Sequence, residues 1–469
     1  MRILALDLGT SSARGLVLDG AATPLPGALA RRKVTVAVDD DGAGVIDAPG
    51  YLAALLECLD ELSAAGWLDG VTLVAASGQW HSVLPLDAAG RPLGPLVTWL
   101  DTRPVPEGAG PADPDAFHQR TGAWWHRFFW TVKLPWLRAR SGSAPARFVG
   151  LSEYVLGELL GDAPMSVSQA SGTGMLDLSR LAWDGEACAL AGVRPGELPA
   201  LAPAGWRGRL RPAYARRWPA LADAVWAPPT GDGAASNIGS GCADPSRAAV
   251  TVGTSAAVRL VQDARPGTPL PPLPHTLWRY RVDHDRIVTG TAYSAGGNLY
   301  AWAQRELRLP DGDGLEAALA GVAPGGVEVR ADPRLGGDRP PGTAPAGSGA
   351  LSGIGFATTA VELFAGLMDG VCHQVAADLA IIESTVERTV AVALGGGAVA
   401  ASPWWRRAFQ AALAPRPVRH VTDPEVGATG AALVALREEA GLHASSKMVR
   451  TEEGYSAGSA GSSQPQYPS

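Results

Sequence analysis

Short apolar runs alternate with polar turns at the start of the chain, before any helical spacing begins. Ile3 to Leu6 is apolar, Asp7-Leu8-Gly9-Thr10-Ser11-Ser12 supplies turn residues, and Gly15 to Leu18 is apolar again. This pattern predicts a strand, a tight turn and a second strand. Lys33 to Val38 predicts a third strand, which would complete a meander over residues 1–47. Tyr51 to Ala65 then carries apolar residues at helical spacing in YLAALLECLDELSAA. Val71 to Ala75 is a continuous apolar run that leads into Ser77-Gly78-Gln79-Trp80-His81-Ser82, with further strand signals at Val83 to Asp87 and Leu96 to Leu100. Meander, helix and buried strand in that order predict an α/β domain with a mixed sheet.

Residues 104–116 form a Pro/Gly-rich loop. His118 to Arg140, dense in aromatic residues, is expected to be one helix, and Leu151 to Leu160 another. Ser166 to Asp177 is small and polar, and 192–229 is too rich in proline and arginine to predict an element. Asp244-Pro245 then reads as a polar hinge, and after it AAVTVGTSAAVRLV (Ala248 to Val261) repeats the strand–turn–strand pattern of the N-terminus. A strand at Ile287 to Thr291, a helix from Gly297 to Leu307 and a long Gly/Pro loop from Gly325 to Gly349 follow. Helices at Thr358 to Ile382 and Trp404 to Leu413 flank a strand at Val390 to Leu394, and a final helix runs from Gly430 to Gly441. The expected division is a domain over 1–243, a second over 244–441, and a disordered Ser/Gly/Gln-rich tail over 442–469.

Leu8-Gly9-Thr10-Ser11 and Val252-Gly253-Thr254-Ser255 match in type and spacing, and an arginine follows each, Arg14 and Arg259. Either turn alone is an ordinary hairpin loop; the matched pair, half a chain apart, points to two similar halves facing one ligand. Glycine lets backbone come close to an anion, and successive N–H groups with Thr and Ser hydroxyls donate to its oxygens, so the chemistry points to phosphate. Asp7 would repel phosphate unless a divalent cation lies between them, as Mg²⁺ held by one carboxylate and substrate phosphates does. The second copy has Thr251 at that place, so one loop alone would serve the metal.

With 469 residues the chain can hold two domains, each with its own core. Its net charge of −7 and lack of a basic stripe argue against nucleic acid as a partner. The cysteines Cys58, Cys188, Cys242 and Cys372 are scattered, which argues against a disulfide frame or zinc site. No apolar run was expected to span a bilayer and the N-terminus does not read as a secretory signal, so the expected setting is cytoplasmic, away from membranes. Oligomeric state is not written in these residues; a homodimer is among the assemblies left open.

Three more stretches suit a nucleotide and a polyol. Gly231-Asp232-Gly233 places one unobstructed carboxylate among small residues, as a general base for an alcohol requires, although Gly-Asp-Gly is also a common turn. Gly395-Gly396-Gly397-Ala398 follows a strand and precedes a helix, so a flat ligand or phosphate could lie on its backbone; a close strand–helix crossing accounts for it equally. Neither GxGxxG nor a P-loop occurs. Gln79, Trp80 and His81 at one strand end, with Asp101, Thr102 and Arg103 at the next, offer polar groups beside an aromatic wall; Arg127 and Lys133 could add positive charge.

Together these stretches resemble the FGGY family of carbohydrate kinases over residues 1 to about 440, most closely its members that act on gluconate. The resemblance is carried by DLGTSSARGLVLD, SGQWHSVLPLDAAGRPLGPLVTWLDTR, GDGAASNIGSG with TVGTSAAVR, SAGGNLYAW and GGGAVAASPWW. It implies two ribonuclease H-like domains of the actin and hexokinase type, hinged over an ATP and sugar cleft. It implies Asp232 as general base and Asp7 as the holder of Mg²⁺. Gly9, Thr10, Ser11, Arg14, Gly253, Thr254 and Ser255 would meet phosphates, Gly297, Gly396, Gly397 and Ala398 the nucleotide, and Gln79, Trp80 and His81 the sugar. The expected reaction is ATP-dependent phosphorylation of a sugar or sugar acid, gluconate first. The alternatives are another polyol or ketose, such as xylulose, ribulose or glycerol, and a nucleotide-binding protein of the same fold without kinase activity.

Overall fold

The computed structural model describes residues 1–456 except 162, 312 and 338–346, with side chains described as far as Gly441. The first apolar runs pair as an antiparallel hairpin of β1 (Arg2–Leu8) and β2 (Ser12–Asp19), whose register sets Asp7 opposite Arg14. β3 (Pro24–Lys33) lies antiparallel to β2, so the third strand precedes the predicted Lys33 to Val38. Its prolines are tolerated because β3 is an edge strand, where a missing N–H breaks no ladder. Ala37–Val38 pairs instead with Gly44–Ile46 in a small separate sheet.

Helix α1 (Ala48–Ala64) buries Tyr51, Leu55, Cys58, Leu59 and Leu62 in the core beneath that sheet. β4 (Val71–Gly78) runs parallel beside β1, and β5 (Val225–Trp226) parallel beside β4, which gives the order β5-β4-β1-β2-β3. A strand covered on both faces needs the near-continuous apolar run seen at β4.

The second half repeats the plan. β6 (Arg247–Val252) and β7 (Ala256–Asp263) form an antiparallel hairpin, and β8 (Trp278–Arg281) pairs with β9 (Arg286–Tyr293), which lies beside β7. β10 (Ala391–Gly395) runs parallel to β6 and β11 (Val418–His420) parallel to β10. The order is β8-β9-β7-β6-β10-β11; apart from the added edge strand β8, it is the order of the first sheet. The two sheets are the pair of ribonuclease H-like units expected from the echoing hairpins.

Three helices tie the halves to the cleft. α2 (Asp232–Gly239) starts directly from Thr230–Gly231, a short strand parallel to β4. α3 (Ala360–Ser384) packs Phe364, Leu367, Met368, Val371, Val375, Leu379 and Ile382 into the second core. It is long and apolar enough to cross a membrane by length and composition, contrary to the sequence expectation, and much of its apolar surface is buried in the fold. α4 (Val426–Ser456) returns to the first sheet, where Ala428, Ala431, Ala432 and Ala435 pack with Ile3, Ala5, Leu16 and Leu18. α2 and α4 cross backbone to backbone: a Cβ on Gly430 would overlap the Ala235 carbonyl, and one on Gly239 the Val426 carbonyl.

Two more sequence expectations change. His118 to Arg140 is two helices, Pro114–Thr121 and Trp130–Arg140. Gly122 ends the first at φ 68°, and a side chain there would strike the Arg279 carbonyl. The last helix begins before Gly430 and continues past Gly441 to Ser456, within the stretch expected to be disordered; the rest of that tail, 457–469, lies outside the described residues.

Candidate active site

A cavity of about 260 Å³ opens where the halves meet. Each echoing loop sends a hydroxyl residue to it, Thr10 from the first and Ser255 from the second. Asp232 lines it beside Trp80 and His81, and the second half adds Arg259, Trp278 and Tyr280. The indole of Trp80 stands edge-on to Trp278 and Tyr280, with ring centroids 6.2 and 4.8 Å away. Such rings cover the C–H faces of a polyol while a few polar groups fix its orientation.

Gly-Asp-Gly proves to be a strand end running into a helix rather than an isolated turn, and the Trp80 ring explains its glycines. A Cβ on Gly231 would overlap the indole, and one on Gly233 would crowd it. The two glycines therefore let the aromatic wall close around Asp232. Burial pushes the Asp232 carboxyl above its ordinary value, while Arg259 and the backbone N–H groups of Gly233 and Trp80 pull it back. Gly233 N–H donates to Asp232 Oδ1 at 2.8 Å. The result is an ionisable carboxylate whose basicity is increased by its surroundings.

Asp7 lies near the C-terminal end of β1, where the loop, β4 and α4 converge. Its Oδ2 is 3.5 Å from Arg14 Nη1, and Arg14 reaches Glu425 Oε2 at 2.9 Å on the segment that enters α4. Burial raises Asp7 to about 6; Arg14 opposes this, and Asp232 and Glu425 add to it. Three carboxylates thus act on one another in the cleft with a single guanidinium ion-paired among them, an excess of buried negative charge that a divalent cation would relieve. Among the described residues no group of three His, Cys, Asp or Glu could hold a metal alone. That fits Mg²⁺, which is commonly held by one or two carboxylates with phosphate oxygens and water.

The nucleotide-side glycines gather at the end of β6. Gly297 N–H donates to the Gly253 carbonyl at 2.7 Å, and a Cβ on Gly297 would lie 3.5 Å from that of Ala398. Gly396 has φ 106° and presses on the backbone of Val252, so no other residue fits there. Gly397 has open space in front of it. Gly9 and Gly253 spend their N–H groups within their own loops, on the carbonyls of Ser12 and Ser255. Their part in an anion site would be close backbone approach rather than donation; Thr10, Ser11 and Thr254 carry the remaining hydroxyl chemistry of the loops.

Several sequence assignments move. Gln79 is buried behind the first loop, where its side chain meets Ser82, Thr10 and the Gly9 carbonyl, and it does not line the cavity. Lys133 is fully buried and donates to the carbonyls of His81 and Thr98, so it fixes the sugar-side loops from beneath. Burial lowers its amine to about 7. Arg127 is likewise not a cavity residue, whereas His81 is, held at φ 69° with Nδ1 2.6 Å from the Gly172 carbonyl. Asp101 serves Arg103 and the Gly44 N–H. Trp278 and Tyr280 were not foreseen, because residues 262–286 predict no element, and Arg259 was read only as an echo of Arg14.

The family model for the N-terminal domain of the FGGY family of carbohydrate kinases matches residues 2–239, and that for its C-terminal domain matches 248–439. The gluconokinase of Bacillus subtilis (strain 168) is 25% identical over 72% of this chain and 68% of its own length. A xylulose kinase of Streptomyces coelicolor is 27% identical over 92% of this chain and 87% of its own. The crystal structure of a gluconate kinase from Lactobacillus acidophilus superposes with a TM-score of 0.81 at 22% identity, covering 94% of this chain and 89% of that one. Two matched domains, each with its own copy of the sheet and its own hydroxyl-bearing loop at a shared cleft, lead to one assignment: the chain belongs to the FGGY family of carbohydrate kinases, enzymes that phosphorylate sugars with ATP.

Proposed function

We propose that this kinase converts D-gluconate to 6-phospho-D-gluconate. The observation that carries the catalytic part is that Thr10, Ser255 and Asp232 line one cavity, although they come from two hairpins and a helix far apart in the chain. The gluconate part is supported by TVGTSAAVR and GDGAASNIGSG, which resemble the gluconate-specific version of those segments, and by the gluconokinase relative.

In this reading Asp232 accepts the proton of the terminal hydroxyl as it attacks the γ-phosphorus of ATP, and its burial gives it the basicity to do so. Trp80, Trp278 and Tyr280 hold the carbon chain and exclude water from the reacting end. Thr10, Ser11, Arg14, Thr254 and Ser255 would face the phosphates, and the backbone around Gly297 and Gly396 to Ala398 the nucleoside. Asp7 would hold Mg²⁺, whose charge, when it is bound, neutralises the phosphate oxygens. Phosphoryl transfer consists mainly of such positioning and charge stabilisation. Closure of the halves about the α2–α4 crossing would complete the site.

The deciding experiment is coupled detection of ADP release with Mg-ATP across gluconate, xylulose, ribulose and glycerol, with Asp232→Asn as control. Turnover should be strongest on gluconate, and Asp232→Asn should lose roughly a thousandfold in kcat while still binding nucleotide. A neutral sugar as best substrate would keep Asp232 and discard gluconate; an active Asp232→Asn enzyme would discard the base.

A further inference from the structure

Arg259 has no evident task in holding the fold. It sits on β7 between the buried residues Val258 and Leu260. Its Nε and Nη1 are sealed from solvent and have no hydrogen-bond partner among the described residues. Buried arginines close by are employed differently: Arg281 donates to the carbonyls of Leu178, Ala264 and His284, and Arg286 clasps Asp283. Arg259 lines the cavity instead, and a Cβ on Gly233 would lie 3.2 Å from its Nε. Asp232 is within reach of its charge, yet the two make no hydrogen bond or ion pair. A guanidinium stripped of water and left unpaired is costly, so an anion from outside the chain is the expected counterpart.

The other cavity walls are mostly aromatic, and a neutral polyol would bring only hydroxyls to them. A planar carboxylate matches the guanidinium fork with two parallel hydrogen bonds. We propose that Arg259 binds the carboxylate of a sugar-acid substrate and is the residue by which this site tells an aldonic acid from a neutral polyol of equal length. This rests on the kinase reading above and adds the group that selects the substrate. The competing anion is the phosphoryl group in transfer, which every substrate shares. The two differ in what they predict for selectivity.

The test compares Arg259→Met and Arg259→Lys with the wild-type enzyme on gluconate and on glucitol, its neutral six-carbon counterpart. Arg259→Met should raise KM for gluconate roughly a hundredfold and lower the gluconate-to-glucitol ratio of kcat/KM by a similar factor. Arg259→Lys should recover part of both. Without substrate, Arg259→Met should melt no lower than wild type, since a buried unpaired charge is removed. Gluconate should raise the melting temperature of the wild type and leave that of Arg259→Met unmoved. Equal losses on both substrates would overturn the proposal in favour of a role in phosphoryl transfer. A wild-type enzyme that phosphorylates neutral sugars and rejects every sugar acid would overturn it together with the gluconate assignment, leaving Asp232 in place. Gluconate turnover unchanged in Arg259→Met would overturn it alone.

Discussion

In the first hairpin, β1 brings Asp7 opposite Arg14 on β2; in the second, β6 brings Thr251 opposite Ala257 on β7. The arginine of the second copy lies further from its loop, opposite Ala249. Arg14 is consequently engaged by Asp7 and Glu425, whereas Arg259 reaches the cavity with its charge unmatched. Both halves keep the same antiparallel–parallel strand plan because each must bury its own sheet. Their polar residues are free of that demand and have taken different tasks, cation and phosphate in one half, substrate in the other. An internal repeat thus predicts backbone well and charge poorly.

The comparison breaks most visibly at its acidic position. Asp7→Asn should lower kcat roughly a hundred- to a thousandfold and raise the Mg²⁺ concentration needed for half-maximal rate. Thr251→Val, at the equivalent strand position, should change kcat by less than about threefold, since a small hydroxyl gives a cation no charge to bind. Magnesium titrations of both variants in the ADP-release assay check this. Equal losses would mean that the halves share the metal, and the division of tasks would fail.

Much of this plan was readable before any coordinates. The matched loops, the hinge near Asp244-Pro245 and the pairing of Asp232 with Trp80 and His81 all follow from turn chemistry and apolar runs, which are local signals. What could not be read depends on distant partners. Gly122 breaks a helix because the Arg279 carbonyl occupies the place of a side chain. Gln79 and Lys133 turn away from the cavity because carbonyls and hydroxyls elsewhere in the fold claim them. Arg259 did leave a trace, a lone charge within the apolar run AAVRLV of a strand buried on both faces. Such a residue must find a counter-charge, and the chain does not supply one in hydrogen-bonding contact.

The glycines sharpen the comparison on the nucleotide side, where the second half carries the run and the first does not. Gly396→Ala would force a side chain onto φ 106° and into the Val252 backbone. It should cost about 3 kcal/mol, a large value for a single methyl, read as a lower denaturant midpoint. Gly397→Ala meets open space and should leave the midpoint unmoved, so any rise in its KM for ATP reports a ligand at that backbone. A loss of stability in Gly397→Ala would show that the run serves the strand–helix crossing alone.

The smallest expected effect concerns the seam that keeps the unlike halves together. α4 carries Glu438, whose Oε2 accepts from Arg207 Nη1 of the first half at 3.2 Å, while Arg207 Nε meets Glu439. Burial raises Glu438 to about 7 from an ordinary 4.5; Asp283 of the second half adds to this, and Arg207 and Arg286 oppose it. A carboxyl raised in the folded state binds more protons there than in the unfolded chain. Its contribution is therefore complete below pH 4.5 and is lost as pH rises through about 7. Glu438→Gln removes that slope, so its midpoint relative to wild type should improve from pH 5 to pH 8 by about 1 kcal/mol, allowing for partial exposure and the Arg207 contact. Urea unfolding at the two values measures the difference directly. A constant gap would mean that Arg207 holds Glu438 ionised throughout, and the seam would then be a fixed ion pair rather than a protonated contact between two differently charged halves.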